Sequence, residues 1–217
     1  MTSIGDPIAI PGSEQAERLD SAPLEAVALP TVRAVGIALA VSAPIWAVVI
    51  VLYGDVVEFG WRTLLGGVTA LAFQSAIVGL LRIEEQARAM TRPGSPGRIA
   101  TIGFRIEYAL MAGAMVSTVL DSFALIQGSV VWAVFDACWP LSMLGMVIIG
   151  VRIAIVGRWQ GALRWQTLFA QSWFVWGIPA MAFGAVGTVV MISQVVLGYG
   201  VLGGLLAVKP AATRPAV

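Results

Sequence analysis

The chain has 217 residues, of which 59% are hydrophobic and 12% are charged, and its mean hydropathy is +0.89. Soluble domains carry about 25% charged residues, so this composition predicts an all-α, polytopic membrane protein. The formal net charge of +1 offers no concentrated basic face, which argues against nucleic acid as a partner. The chain has no histidine and one cysteine, which excludes a His-dependent triad, an intrachain disulfide and the common zinc sites. We expect no metal and no cofactor.

The first segment, residues 1–31, is polar and contains prolines and several acidic residues. This pattern predicts a disordered acidic tail. A secretory signal peptide would need a basic n-region and an apolar core, and neither precedes residue 30. We therefore expect the segment to stay in the cytoplasm, and we expect the same of a second short tail, residues 209–217.

Apolar segments fill the chain between the two tails. A helix of about 20 apolar residues crosses a hydrocarbon core of ~30 Å. The uncharged stretch from Leu168 to Val208 would extend ~62 Å as one helix, so we divide it at 184–188. Gly200 and Gly204 have the spacing that permits close helix contact. The predicted transmembrane domain, 32–208, then contains six helices in one bundle, at about 32–53, 61–81, 104–126, 130–155, 167–184 and 188–208.

The basic residues predict the orientation of these six spans. With the N-terminus in the cytoplasm, the basic residues of the loops 82–105 and 152–164 and also Lys209 lie inside, whereas Arg62 is the only basic residue placed outside. This asymmetry follows the positive-inside rule and predicts an N-in/C-in, multi-pass protein of the cell membrane, in a prokaryotic inner membrane. Within the first inner loop, Glu84 and Glu85 have the spacing to pair with Arg88 on a helical extension.

Three prolines lie inside predicted spans. Pro44, Pro140 and Pro179 are expected to kink spans one, four and five, because proline removes a backbone donor. The first two occupy similar positions in spans of opposite direction, as in an inverted repeat of three plus three helices. The loops that follow spans two and five differ greatly in length, which argues against that repeat.

Spans three and four form a hairpin about Gly128 that contains aspartates within apolar runs. A tight hairpin places Asp121 level with Asp136. Facing carboxylates repel each other and can share a proton or bind a cation. In the alternative interpretation, span three ends early, Asp121 faces headgroups and Asp136 accepts hydrogen bonds from neighbouring helices. The candidate site for a proton or cation comprises Asp121, Asp136, Ser117, Thr118 and Ser122.

The same hairpin places Glu107 level with Arg152 near the cytoplasmic end, with Arg105 beside it. These three residues are candidates for an inner ion pair. Such a pair would serve packing and orientation, or would form an inner gate.

These sequence features exclude some classes of function but do not identify one. The Gly-x-Gly-Asp signature of intramembrane aspartyl proteases is absent at both aspartates, and we do not expect an enzyme. The favoured hypothesis is a small proton- or cation-coupled transporter or channel-like protein that uses the Asp pair. Few polar residues line a plausible pathway, which favours the alternative of a non-catalytic membrane subunit or scaffold. Besides the lipid bilayer, a second copy or a partner membrane protein remains open as a binding partner.

Overall fold

The computed structural model describes residues 27–54 and 58–214. Within these ranges 82% of the residues are helical and none is in a strand. Most of the predicted acidic tail and the last three residues lie outside the described residues. The helices are α1 (Leu29–Tyr53), α2 (Trp61–Gln86), α3 (Arg98–Ser122), α4 (Val130–Val156), α5 (Gly161–Gln171), α6 (Trp173–Met181), α7 (Ala185–Val195) and α8 (Val201–Val208).

Five helical segments are long and apolar enough to cross a membrane: α1 to α4, and the continuous stretch Ala185–Val208. The predicted span at 167–184 has a different form, because Ser172 interrupts it between α5 and α6. The Ser172 amide still donates to the Leu168 carbonyl, but its hydroxyl bonds the Phe169 carbonyl, and the helix restarts one residue later. Among the described residues there are thus five uninterrupted candidate spans and one interrupted segment, so the count of six spans stays a prediction.

The helices define two ends of the bundle. We call the end where α1 stops and α2 begins the distal end, and the end where α2 stops and α3 begins the proximal end. The Arg33 Nε at the start of α1 donates to the Ala207 carbonyl near the end of α8 over 3.2 Å. The first and last helices of the described chain therefore meet at the proximal end.

Glycines allow α1 and α8 to pack closely. A Cβ at Gly36 would lie 2.6 Å from the Ala207 amide nitrogen, and a Cβ at Gly203 would overlap the backbone at Ala40. A Cβ at Gly204 would meet nothing within 4 Å. Of the predicted pair, Gly200 lies against Pro44 of α1, whereas Gly203 and not Gly204 makes the close contact.

The prolines lie inside helices, as expected: Pro44 in α1, Pro140 in α4 and Pro179 in α6. A second irregularity was not predicted. The chain forms a π-helical turn at Val196–Gly200, between α7 and α8. The α5–α6 segment is therefore interrupted at Ser172, whereas the continuous helix of α7 and α8 contains a π-helical turn.

Candidate functional site

The two aspartates of the predicted site have separate partners. The Trp132 indole donates to Oδ1 of Asp121 over 2.7 Å, and the Ser117 hydroxyl makes a long, 3.5 Å bond to Oδ1 of Asp136. Asp136 thus lies near the level of Ser117, which is four residues or ~6 Å before Asp121 along α3. It accepts a bond from a neighbouring helix, as in the alternative interpretation, and Asp121 has a partner of its own in Trp132.

The three hydroxyl residues of the predicted site, Ser117, Thr118 and Ser122, are buried. Thr118 is the best connected, since its Oγ1 accepts hydrogen bonds from Gln74 Nε2 at 3.0 Å and from Trp139 Nε1 at 3.4 Å. The Ser122 hydroxyl donates to the Thr118 carbonyl over 2.5 Å. These residues link α2, α3 and α4 instead of surrounding a carboxylate pair.

Glu107 points into the bundle and is 2% exposed. Its Oε1 accepts a hydrogen bond from the Ser142 hydroxyl over 2.5 Å, whereas Arg105 and Arg152 are exposed. The predicted inner ion pair is not formed. The register of the hairpin sets Ser142, and not Arg152, at the level of Glu107, and burying a guanidinium group would cost its hydration.

Glu84 was expected on a solvated helical extension, but it is completely buried. Its Oε1 accepts a hydrogen bond from Gln171 Nε2 over 2.6 Å, and its Oε2 has no partner among the described residues. The predicted pairing with Arg88 fails because α2 ends at Gln86 and Arg88 has a positive φ of 48°. The helical spacing on which that prediction depended does not extend so far.

Tyr199 is a second residue that sequence reasoning missed. It lies in the π-helical turn, is completely buried, and its hydroxyl has no partner among the described residues. The Gln166 amide donates to the carbonyls of Leu197 and Gly198 at 2.6 Å and 2.9 Å, which satisfies backbone groups freed by the wider turn. Such π-turns occur frequently at functional sites.

Glu84, Glu107 and Tyr199 are buried ionisable side chains from α2, α3 and the π-helical turn, and they lie close enough to interact electrostatically. Neither carboxyl group has a basic partner within 4.0 Å among the residues that the structure describes. We call these three residues, with their hydrogen-bond donors Gln171 and Ser142, the buried carboxyl cluster.

Glycines of α4 make room for the polar groups of this cluster. A Cβ at Gly145 would overlap the carboxylate of Glu107, and a Cβ at Gly150 would lie 2.9 Å from Oε1 of Gln171. Any larger residue at either position would have to displace a polar side chain. The cluster is thus accommodated by the shape of α4.

A small enclosed cavity adjoins the cluster on its distal side. Its volume of about 20 Å³ is enough for one water molecule, and its polar lining comes from Gln74, Ser142 and Tyr199. Ser142 bonds Glu107, and Gln74 bonds Thr118. Polar groups therefore continue from the cluster across the cavity to Thr118.

Thr118 also lines a second, open pocket of about 250 Å³ at the distal end, which we call the distal pocket. The pocket is bounded by the last turns of α1 and α3, the first turns of α2, and α4. Trp139 lines both this pocket and the enclosed cavity, and Trp46 stacks on Phe73 and Trp139 with ring centroids 5.1 Å and 6.3 Å apart. An aromatic layer thus separates the two spaces. The lining includes Trp46, Tyr53, Arg62, Gly66, Asp121 and Trp139.

No known protein family, curated protein or solved structure matches this chain. Across residues 27–54 and 58–214, no group of three histidine, cysteine, aspartate or glutamate side chains could hold a metal ion. The geometry of the buried carboxyl cluster and of the distal pocket is therefore the basis for inferring function.

Proposed function

We propose that this protein is a small proton-coupled transporter in which Glu84 and Glu107 carry the coupling proton. The supporting observation is a series of buried polar groups, bridged at one point by the enclosed cavity, that leads from the buried carboxyl cluster to the distal pocket. Four links make up this set: Glu107 to Ser142, Ser142 across the enclosed cavity to Gln74, Gln74 to Thr118, and Thr118 to the distal pocket.

Buried carboxyl groups suit this role because their two states differ by a single proton. Ionisable residues within spanning helices are costly and commonly mark proton relays. Glu84 and Glu107 interact electrostatically, so proton occupancy at one changes the free energy of occupancy at the other. A structural role alone would be served equally well by glutamines, which can also accept the bonds from Gln171 and Ser142.

A proton fits the cluster better than a metal cation. Hard cations are bound by several converging oxygen ligands, whereas Gln171 and Ser142 present hydrogen-bond donors to the two carboxyl groups. The adjoining cavity of about 20 Å³ has room for one water, which can accept a hydrogen bond from the Tyr199 hydroxyl and donate one to the Gln74 amide oxygen.

The helix interruption at Ser172 and the π-turn within the last helix support a transporter over a static subunit. Discontinuous helices place irregular backbone beside the ion and substrate sites of many transporters. Gln171 is the last residue of α5 before the interruption, and Tyr199 lies in the π-turn between α7 and α8. Both irregularities therefore touch the buried carboxyl cluster, where a change in protonation can act on them.

The proposal includes six membrane crossings with both termini in the cytoplasm. The α5–α6 segment serves as an interrupted fifth crossing, which is consistent with the meeting of Arg33 and Ala207 at the proximal end. Positive charge is crowded at this end: burial, and then the nearby Arg88 charge, lower the pKa of the Arg158 guanidinium. The positive-inside rule assigns such an end to the cytoplasm of a cell membrane, so the distal pocket opens outward.

Proton binding can be tested by pH jumps on purified protein reconstituted into proteoliposomes and adsorbed to a solid-supported electrode. Proton uptake into the bundle displaces charge and gives a transient current even without substrate turnover. We expect a current from the wild-type protein, and its loss in Glu84→Gln and in Glu107→Gln. Glu85→Gln is the matched control, because Glu85 is only half-buried and accepts a bond from Tyr108 at 3.0 Å.

The result is interpretable only if the variants fold, which equal thermal unfolding midpoints in detergent would establish. A wild-type current no larger than that of empty liposomes would contradict the proposal. Equal currents from Glu84→Gln, Glu85→Gln and wild type would do so too. Either outcome would favour the non-catalytic membrane subunit.

A further inference from the structure

We infer that the distal pocket binds a small zwitterion, namely an amino acid with an apolar side chain. This inference rests on the proposed transport function, for which it supplies the class of substrate. It concerns a different part of the molecule from the buried carboxyl cluster, so the two can be tested separately.

Opposite charges line the pocket and are held by different partners. The Arg62 guanidinium lies 5.6 Å from the ring centroid of Tyr53 and 5.5 Å from that of Trp61. The Asp121 carboxylate accepts the 2.7 Å bond from Trp132. Each charged group is thus oriented by aromatic residues, and both contribute to the lining of the same space. A ligand with a carboxylate and an ammonium group can bind both.

The helix ends reinforce this pattern of charge. Arg62 and Thr63 belong to the first turn of α2, where the helix dipole favours an anion, and Asp121 belongs to the last turn of α3, where it favours a cation. An aspartate at a helix C-terminus is unfavourable by itself, and an ammonium group would relieve this repulsion. A carboxylate bound near Arg62 and an ammonium bound near Asp121 therefore match both the side chains and the backbone.

The rest of the lining is suited to an apolar side chain of moderate size. Trp46, Val49, Ile50 and Trp139 provide apolar walls. The volume of about 250 Å³ lies just below the range of roughly 300–1,000 Å³ typical of pockets for drug-sized ligands. A branched aliphatic amino acid such as leucine has the two charges and the apolar group that this lining accommodates.

The pocket also meets the polar chain that leads to the buried carboxyl cluster. Thr118 lines the pocket and bonds Gln74, whose Oε1 has no partner among the described residues. A ligand that displaces Thr118 or Trp139 would disturb the aromatic layer between the pocket and the enclosed cavity. Substrate binding and proton occupancy can be coupled at this layer.

The test measures equilibrium binding of tritiated L-leucine to the purified full chain in detergent by a scintillation proximity assay. The competitors are unlabelled leucine, isoamylamine (leucine without its carboxylate) and 4-methylpentanoate (leucine without its ammonium group). Each charged contact of this kind is expected to change affinity about tenfold or more. Leucine should therefore compete at least about tenfold better than either analogue.

Charge variants assign the two contacts. Arg62→Gln should weaken leucine about tenfold and leave isoamylamine unchanged, because only the carboxylate loses its partner. Asp121→Asn should weaken both ligands, while its amide oxygen can still accept the bond from Trp132. Asp136→Asn is the control, since Asp136 bonds Ser117 outside the pocket, and it should bind leucine as the wild type does.

A matched pair of glycines tests the location without changing charge. Gly66 lines the pocket, and a Cβ there would meet nothing within 4 Å. Gly66→Leu should therefore occupy the pocket and abolish leucine binding without disturbing the fold. Gly204 is equally open and lies in α8 away from the pocket, so Gly204→Leu should retain binding.

The inference would be overturned by an absence of displaceable leucine binding, by equal competition by leucine and both analogues, or by unchanged affinity in Gly66→Leu. Stronger competition by phosphoethanolamine than by leucine would also overturn the assignment to an amino acid, and would indicate a zwitterionic lipid headgroup instead. Leucine binding in Glu84→Gln, together with loss of its pH-jump current, is expected. If the wild type binds leucine but gives no current, the proposed transport function is refuted, whereas the inferred leucine site is supported.

Discussion

The buried carboxyl cluster is a set of polar groups with more hydrogen-bonding capacity than the described residues satisfy. One oxygen of Glu84, the amide oxygen of Gln171 and the Tyr199 hydroxyl are buried without partners in the described ranges. Unsatisfied buried groups cost roughly 1–3 kcal/mol each, so selection for stability alone would replace them with apolar residues. Their presence together is consistent with a requirement for proton transfer.

Removing the Tyr199 hydroxyl should affect stability and activity differently. Tyr199→Phe removes a buried hydroxyl that has no partner among the described residues and leaves the ring packed against Phe73. The free energy of unfolding should be unchanged or higher by about 1 kcal/mol, because a desolvated polar group is lost. The pH-jump current should fall, since Tyr199 belongs to the buried carboxyl cluster and also lines the enclosed cavity.

Thermal or denaturant unfolding in detergent and the pH-jump assay would check both expectations. A variant that is clearly less stable than the wild type would show that the hydroxyl has a partner. A current equal to that of the wild type would remove Tyr199 from the proton path.

For Ser142 the expected change in the free energy of unfolding has the opposite sign to that for Tyr199. Ser142→Ala removes the 2.5 Å donor to Glu107 and leaves a buried carboxyl oxygen unpaired. The free energy of unfolding should fall by about 1–3 kcal/mol. Ser172→Ala is a suitable control because Ser172 is only half-buried and its hydroxyl bonds only nearby groups on its own segment. Equal stability of the two variants in chemical denaturation would contradict the prediction.

The sequence contained a signal for Glu84 that the analysis by charge spacing missed. Ile77, Leu80, Leu81 and Glu84 lie on one face of an α-helix by their spacing, and all four are buried. Continuing that apolar stripe beyond the predicted end of span two at residue 81 would have placed Glu84 inside. Tyr199 had no such signal, because a π-turn shifts the helical phase at the residue itself.

At the scale of elements, the apolar runs predicted α1 to α4 and the stretch Ala185–Val208 well, since length and hydropathy determine them. The interruption at Ser172 could not be predicted, because it depends on hydrogen bonds that a serine makes in many unbroken helices too. The predicted register of α3 against α4 was wrong for a related reason. The prediction assumed a tight turn at Gly128, whereas the chain leaves α3 at Ser122.

Adjacent glycines in α8 test the close packing of α1 against α8. A Cβ at Gly203 would overlap the backbone at Ala40, while a Cβ at Gly204 would meet nothing within 4 Å. Gly203→Ala should lower the free energy of unfolding by about 1–3 kcal/mol, the usual cost of overpacking. Gly204→Ala should be neutral or should stabilise by up to roughly 1 kcal/mol, the difference in helix propensity.

Both glycine variants lie in the same helix and receive the same methyl group, so their difference in stability isolates the contact with α1. Thermal unfolding of the two proteins in one detergent gives the comparison directly. A Gly203→Ala protein as stable as Gly204→Ala would mean that α1 and α8 can separate at little cost.

At the scale of the whole molecule, the proposed mechanism requires that the two sites open toward opposite sides of the membrane. The distal pocket lies at the ends of α1 and α3, and the buried carboxyl cluster lies in the proximal half, near the end of α2. The polar groups between them do not form an open channel, because the Trp46 and Trp139 rings close the floor of the distal pocket. Transport therefore requires rearrangement of this aromatic layer.

The predicted orientation can be tested with single cysteines in a Cys138→Ala background. Phe59→Cys marks the distal end, and Pro96→Cys and Ala211→Cys mark the proximal end; all three side chains are exposed. None of these changes alters a charge, so the positive-inside balance that sets topology is preserved.

A membrane-impermeant maleimide should label Phe59→Cys in intact cells and the other two only after permeabilisation. If Ala211→Cys is labelled in intact cells together with Phe59→Cys, the end of α8 and the start of α2 lie on the same side of the membrane. That arrangement would require an odd number of crossings. The α5–α6 segment would then be no crossing, and the distal pocket and the proximal end could not serve as the two entrances of the proposed transporter.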